Sequence, residues 1–166
     1  MTTSWYAIHT RSRHEKVVRD ELVSKGIENY LPVFHSWHQW KDRKKQVELP
    51  LFSSYVFARF CDSPEMRLRV LKTTGAARIL GNGDRIEPVP DSELEAVQRM
   101  LMASDSCIPH PSLREGAWVR VRRGPLKGIE GRLVEFKNRG RLVVSVNLLS
   151  QAVATEVELA DVAPVH

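Results

Sequence analysis

The chain has 166 residues, 42% of them hydrophobic, which is enough to bury the core of one or two small domains and too much for a disordered chain. Lys and Arg number 25 against 20 Asp and Glu, a formal charge of +5 that favours a polyanionic partner without requiring one. Two widely spaced cysteines, Cys61 and Cys107, argue against a disulfide framework or a zinc ribbon, and no window approaches the ~18 apolar residues of a membrane span. The start, Met1-Thr2-Thr3-Ser4-Trp5, lacks a basic and then apolar signal region, so the expectation is a soluble, unprocessed, cytoplasmic protein with no membrane association.

In chain order, Trp5 to Thr10 reads as a short strand. Ser12-Arg13-His14-Glu15 matches a capping box, which predicts a helix starting at Arg13. Val18 and Leu22 stack on one face of that helix, Gly26 is a natural stop, and Arg13, Lys16 and Arg19 fall on the opposite arc. Glu28 to Phe34 and Val47 to Leu51 read as strands flanking a polar, aromatic and basic excursion, His35 to Lys45, most simply a long hairpin with a charged tip. Tyr55 to Phe60 is the clearest strand of this half. Ser63-Pro64 caps a short helix to about Lys72, and Gly81-Asn82-Gly83-Asp84 favours a tight hairpin between Ala76–Leu80 and Arg85–Val89. Asp91 or Ser92 can cap a third helix with Leu94, Val97 and Leu101 at helical spacing.

Strands and helices interleave over about a hundred residues, which argues a mixed α+β domain. Periodicity then stops, and Asp105, Ser106, Pro109, Pro111 and Ser112 read as a linker. The stretch from Arg114 to Val134 is the most informative in the chain. Its alternating Trp118-Val119-Arg120-Val121 suits a half-buried strand, and Gly124-Pro125 and Gly128 supply a turn before a second strand. With Leu133–Phe136, Leu142–Leu149 and Thr155–Val162 as further strands, this predicts a small β-barrel. Gly116, Gly124, Gly128, Gly131 and Gly140 would each cost about 1 kcal/mol inside a helix, so this part is expected to stay β rather than switch fold.

No Walker A pattern, dinucleotide fingerprint or nucleophile elbow is present, and His35 and His38 lack a third ligand of recognisable spacing. The expectation is a non-enzyme without cofactor or metal.

Trp5-Tyr6, the Pro50-Leu51-Phe52-Ser53-Ser54-Tyr55-Val56-Phe57 run and the Arg114–Val134 segment about sixty residues later together resemble the NusG family of transcription factors, over roughly Trp5 to Val162. The carboxy-terminal segment is similar to the KOW motif, which NusG proteins share with several ribosomal proteins. The resemblance implies an NGN α/β sandwich at residues 1–103 that binds RNA polymerase, a linker at 104–114 and a small SH3-like KOW β-barrel at 115–166, acting as a monomer. Where the general factor usually has Pro-Gly before the central Tyr, this chain has Ser53-Ser54. That departure, with Leu31-Pro32 and Asn147-Leu148-Leu149, is closer to the specialised RfaH-like antiterminators of polysaccharide operons. The function implied is processive elongation or antitermination at selected long operons; the alternatives are a general elongation and termination factor and, next, a ribosomal RNA-binding protein.

The resemblance also supplies site residues. The pocket for the β′ clamp helices of the polymerase would be lined by Tyr6, Ile8 or His9, Tyr55 and Phe57, although aromatic residues in strands are commonly core. Non-template DNA would meet Arg11, Arg13, His14 and Lys16, with Lys41, Arg43, Lys44 and Lys45 of the hairpin as a second patch near upstream DNA, and a solvated charged surface is the plain alternative for each. A small-subunit ribosomal protein or Rho would dock at Asn147, Leu148, Leu149 and Ser150, where two consecutive leucines cannot both point inward from a regular strand. A contact to the β gate loop is also implied, but where RfaH has His-Thr-Thr-Thr this chain has Met66-Arg67-Leu68-Arg69.

Overall fold

The computed structural model describes residues 2–104, 106–113, 116–136 and 138–165. Asp105, Arg114 and Glu115, on which part of the expected linker and its end fall, lie outside them. The chain divides into two compact units, residues 1–33 with 48–91, and residues 34–47 with 92–166.

In the first unit, β1 (Ser4–Thr10) leads through a tight turn into α1 (Glu15–Ser24) and then β2 (Glu28–Tyr30). The end of α1 is the one its sequence predicts. Gly26 takes φ 72°, its N–H reaches the Val23 carbonyl, and the Ile27 N–H reaches that of Leu22, which together close the last turn. The start differs from the capping-box expectation: His14 precedes the helix without any side-chain cap, and Arg13 sits at φ 63°. The Glu15 carboxylate is drawn inward instead, where its Oε2 accepts the Ser54 N–H at 3.2 Å.

The strands β3 (Val33–Gln39) and β4 (Lys44–Pro50) pair into the expected hairpin, closed at its tip by the Trp40 N–H donating to the Arg43 carbonyl at 2.8 Å. β5 (Tyr55–Phe60) follows, then α2 (Pro64–Leu71), whose first turn is capped by the Ser63 hydroxyl accepting the Met66 N–H. β6 (Ala76–Ile79), β7 (Gly81–Asn82), β8 (Arg85–Ile86) and β9 (Pro88–Val89) complete the first unit; β7 and β8 pair around Gly83-Asp84.

The sheet of this unit runs β2-β5-β1-β6, with β9 also paired to β1. Directly opposed residues of an antiparallel pair share a face. The register Tyr6 to Ala58 and Ile8 to Val56 therefore sets one face, and these side chains form the core with Phe60, with Val18 and Leu22 of α1 and with Val70 of α2. Trp5, Ala7, His9, Tyr55, Phe57 and Arg59 point to the opposite face.

Ser54, just before β5, has φ 68°, the left-handed region that a side chain disfavours by ~1–2 kcal/mol. Its backbone is held at both ends, since its carbonyl accepts the Thr10 N–H while its N–H donates to Glu15. Ser54→Gly is therefore expected to stabilise the protein by up to about 1 kcal/mol, part of the relief being offset by the freer unfolded chain. Thermal unfolding checks this; a lower melting temperature would contradict it.

The second unit holds residues 34–47 of the β3–β4 hairpin, α3 (Asp91–Ala103) and the strands β10 (Ile108–Pro111), β11 (Ala117–Val121), β12 (Glu130–Phe136), β13 (Arg139–Val146), β14 (Gln151–Val157) and β15 (Val162–Pro164). Leu94 and Val97 of α3 are buried as expected, but Met100 and not Leu101 continues the buried stripe. The six strands form one antiparallel sheet in the order β10-β14-β13-β12-β11-β15, so part of the segment read as a linker pairs along β14. Two expected strands are corrected. The strand predicted over Leu142–Leu149 stops at Val146, where Asn147–Leu149 turns as a 3-10 helix ending in Ser150 at φ 53°. The last long strand lies at Gln151–Val157 and not at Thr155–Val162, leaving Leu159–Asp161 as a second 3-10 turn.

Candidate polymerase and nucleic-acid interfaces

The sheet separates the five residues expected to line one apolar depression. Tyr6 and Ile8 are buried on the helix-packed face, with the Tyr6 ring 4.7 Å from that of Phe60. His9, Tyr55 and Phe57 share the other face. Phe57 is fully buried and meets the Phe52 ring edge-on at 6.1 Å, which makes it a support and not a contact residue. His9 and Tyr55 are partly exposed, directly opposite one another, with rings 5.3 Å apart.

On its other side His9 pairs with Arg78 of β6, so Tyr55, His9 and Arg78 form a row across three strands. Arg78, which is exposed, was not legible as part of this face from sequence. Its signal was the strand reading of Ala76–Leu80, but which of its residues faces β1 depends on a pairing register that local pattern does not carry. The row is chemically mixed: an amphipathic phenol, an imidazole and a guanidinium on the face that also carries the buried Phe57. Tyr and Arg are the residue types that most often anchor protein interfaces.

The first basic group lies at the turn after β1. Arg11, Arg13 and Lys16 are exposed and His14 partly so. This turn is pinned: the Arg11 N–H donates to the Gly75 carbonyl at 2.8 Å, and a Cβ on Gly75 would lie 2.8 Å from that of His14. Lys16 forms an exposed ion pair with Glu48 at 3.4 Å, a kind worth little in water and easily exchanged for a phosphate. The second group, Lys41, Arg43, Lys44 and Lys45, is exposed at the hairpin tip with Asp42 as its one anion.

In the second unit, the turn Asn147–Leu149 answers the question of the paired leucines. Leu149 is buried and Leu148 partly exposed, because the 3-10 turn replaces the alternation of a strand. The Asn147 N–H donates to Glu93 of α3 at 2.8 Å, and burial pushes the Glu93 carboxyl up from its usual range while that hydrogen bond opposes the shift. Arg99 of the same helix donates to the carbonyl of Lys127 at 2.7 Å. Glu93, Arg99, Trp118, Arg132 and Asn147 help line a cavity of about 440 Å³.

In the segment Met66-Arg67-Leu68-Arg69, Arg67 is committed to an ion pair with Asp62 at 2.6 Å, which holds the Asp62 carboxyl below its usual range. Among the described residues no group of His, Cys, Asp and Glu could hold a metal ion, and no helix is long and apolar enough to cross a membrane.

The family profile described as "Transcription termination factor nusG" matches residues 3–98, from β1 into α3. The transcription termination/antitermination protein NusG of Rickettsia typhi is 25% identical over 95% of this chain and 88% of its own length. The protein of the same name from Streptococcus pyogenes is 26% identical over 96% of this chain and 94% of its own length. Among solved structures, the one titled "Domain interaction in Thermotoga maritima NusG" covers 100% of this chain and 99% of its own with a TM-score of 0.62; at 16% identity it supports the fold alone. A match to the amino-terminal family profile over more than half the chain, with relatives aligned over nearly its whole length, makes this protein a member of the NusG family, whose proteins are transcription factors and not enzymes.

Proposed function

We propose that this protein binds RNA polymerase through the Tyr55, His9 and Arg78 row and promotes processive elongation or antitermination at selected long operons. The observation that carries the reading is the partly exposed Tyr55 and His9 pair, on the sheet face where Phe57 is buried against Phe52. The β′ clamp helices are the partner expected there. In this reading residues 1–103 are the NGN domain, and the strands β11 to β15 belong to a KOW barrel at 115–166, with the half-exposed Leu148 presented to a small-subunit ribosomal protein or to Rho. The action is that of a soluble cytoplasmic factor. Ser54 supports the specialised branch: the chain keeps a left-handed turn in which glycine is relaxed, yet fills it with serine and ties it to Glu15. The names of the curated relatives favour the general factor as the second reading.

Co-purification of the tagged full-length protein tests the class, because a factor of this kind travels with RNA polymerase and a ribosomal KOW protein with ribosomal subunits. Transcript profiles of a deletion strain then separate the branches: changes confined to a few long operons support the specialist, and a genome-wide shift the general factor. Arg11, Arg13, His14 and Lys16 would meet non-template DNA. Arg13→Glu with Lys16→Glu should reduce crosslinking to that strand in a paused complex and flatten the salt dependence of recruitment, while reversal at Lys44 and Lys45 should act more weakly. Recruitment indifferent to the first pair would make that turn plain solvated surface.

A further inference from the structure

Two of the largest exposed apolar side chains of the protein are the indoles of Trp37 and Trp40, 66% and 55% exposed, both on the β3–β4 hairpin. Tryptophans this exposed are costly to leave in water, and the cationic reading of this hairpin does not use them. Their placement is ordered. Strand alternation sends positions 44 and 45 of β4 to opposite faces of the hairpin, while Trp37 lies in β3 and Trp40 just past its end. Trp37, Gln39 and Lys44, with His38 beside them, line one depression, and the Lys45 ammonium lies 5.4 Å from the centre of the Trp40 ring. Each face of the blade thus carries one indole with one ammonium close by, and Lys41 and Arg43 add positive charge at the tip against the single carboxylate of Asp42.

An indole beside an ammonium matches the repeat of a single-stranded nucleic acid, a planar base next to a phosphate. Bases stack on aromatic rings regardless of sequence, but only when they are unpaired, and cations track the backbone. A duplex hides its base faces, so the tryptophans would gain nothing from it. We infer that the β3–β4 hairpin binds single-stranded DNA, with Trp37 and Trp40 each stacking on an unpaired base and Lys44 and Lys45 each meeting a neighbouring phosphate. The choice of DNA rests on the proposed role at the non-template strand. The two-faced arrangement further suits a blade standing where strands part, touching a base on either side.

Fluorescence anisotropy with a labelled oligodeoxythymidylate and the full-length protein at low salt tests this. The expected results are binding to the single strand, weaker binding to the matching duplex, and a loss of about tenfold or more on Trp37→Ala with Trp40→Ala, largely restored by phenylalanine at both positions. Lys44→Gln with Lys45→Gln should flatten the salt dependence while leaving tryptophan quenching by the bound oligomer in place. Equal affinity of the alanine variant and the wild type, preference for the duplex, or binding of oligouridylate in place of oligodeoxythymidylate would each overturn the inference. Polymerase binding measured on the same alanine variant keeps the two readings apart: it should be retained, and a wild-type protein that fails to bind polymerase would sink the proposed function while leaving the oligonucleotide result standing.

Discussion

Phe57→Ala is expected to cost about 3–5 kcal/mol of stability, the largest effect of any single substitution on the candidate face. The ring has no exposed surface, lies edge-on to Phe52, and sits directly across the strand pair from Ala7, a side chain too small to fill the space left behind. A void there cannot collapse without moving β1 or β5, the two central strands of the sheet. The denaturation midpoint checks this, and a loss below about 1 kcal/mol would mean that Phe57 is not packed as described. The consequence for function is practical. Alanine at Tyr55 and Phe57 together would confound lost binding with lost folding, so binding is better probed through His9 and Tyr55, which are partly exposed.

Gly131→Ala should be the most damaging small change in the second unit, costing about 1–3 kcal/mol or more. Gly131 lies in β12, opposite Val119 of β11, and a Cβ there would come within 2.6 Å of the Val143 carbonyl oxygen and 3.2 Å of its carbon. Both are backbone atoms of the neighbouring strand, so the sheet itself would have to give. Gly124 provides the contrast. Its φ of 88° taxes any side chain, but a Cβ would meet nothing within 4 Å, and alanine there should cost only about 1 kcal/mol. Hydrogen exchange of the β11–β13 amides distinguishes the two, with opening promoted by the first substitution and little changed by the second. Equal effects at both positions would contradict the close approach of β12 to β13.

The sequence carried its helix ends and strand identities better than its faces. Gly26 and Ser63-Pro64 act through their own backbone chemistry, so the end of α1 and the start of α2 were legible from neighbours alone. The start of α1 was not, because Glu15 is claimed by the N–H of Ser54, a partner thirty-nine positions away that no local motif could reveal. The same limit split the candidate site. Tyr55 and Phe57 were readable as sharing a face, but whether Tyr6 and Ile8 or His9 joined them depended on the register of β1 against β5, and the register joins only His9. The turn at Asn147–Leu149 was visible only as a contradiction, two adjacent leucines in a strand, which the chain resolves by ending the strand. Trp37 and Trp40 were readable as a basic and aromatic hairpin, while their exposure was a fact of packing.

The most direct test is the affinity of the full-length protein for core RNA polymerase, compared between the wild type and His9→Ala with Tyr55→Ala, with circular dichroism to verify folding. Loss of more than about fivefold in a folded variant, a hot-spot loss of ~1 kcal/mol or more, is the result expected if this face holds the polymerase. Undiminished affinity in a variant that remains folded would contradict it.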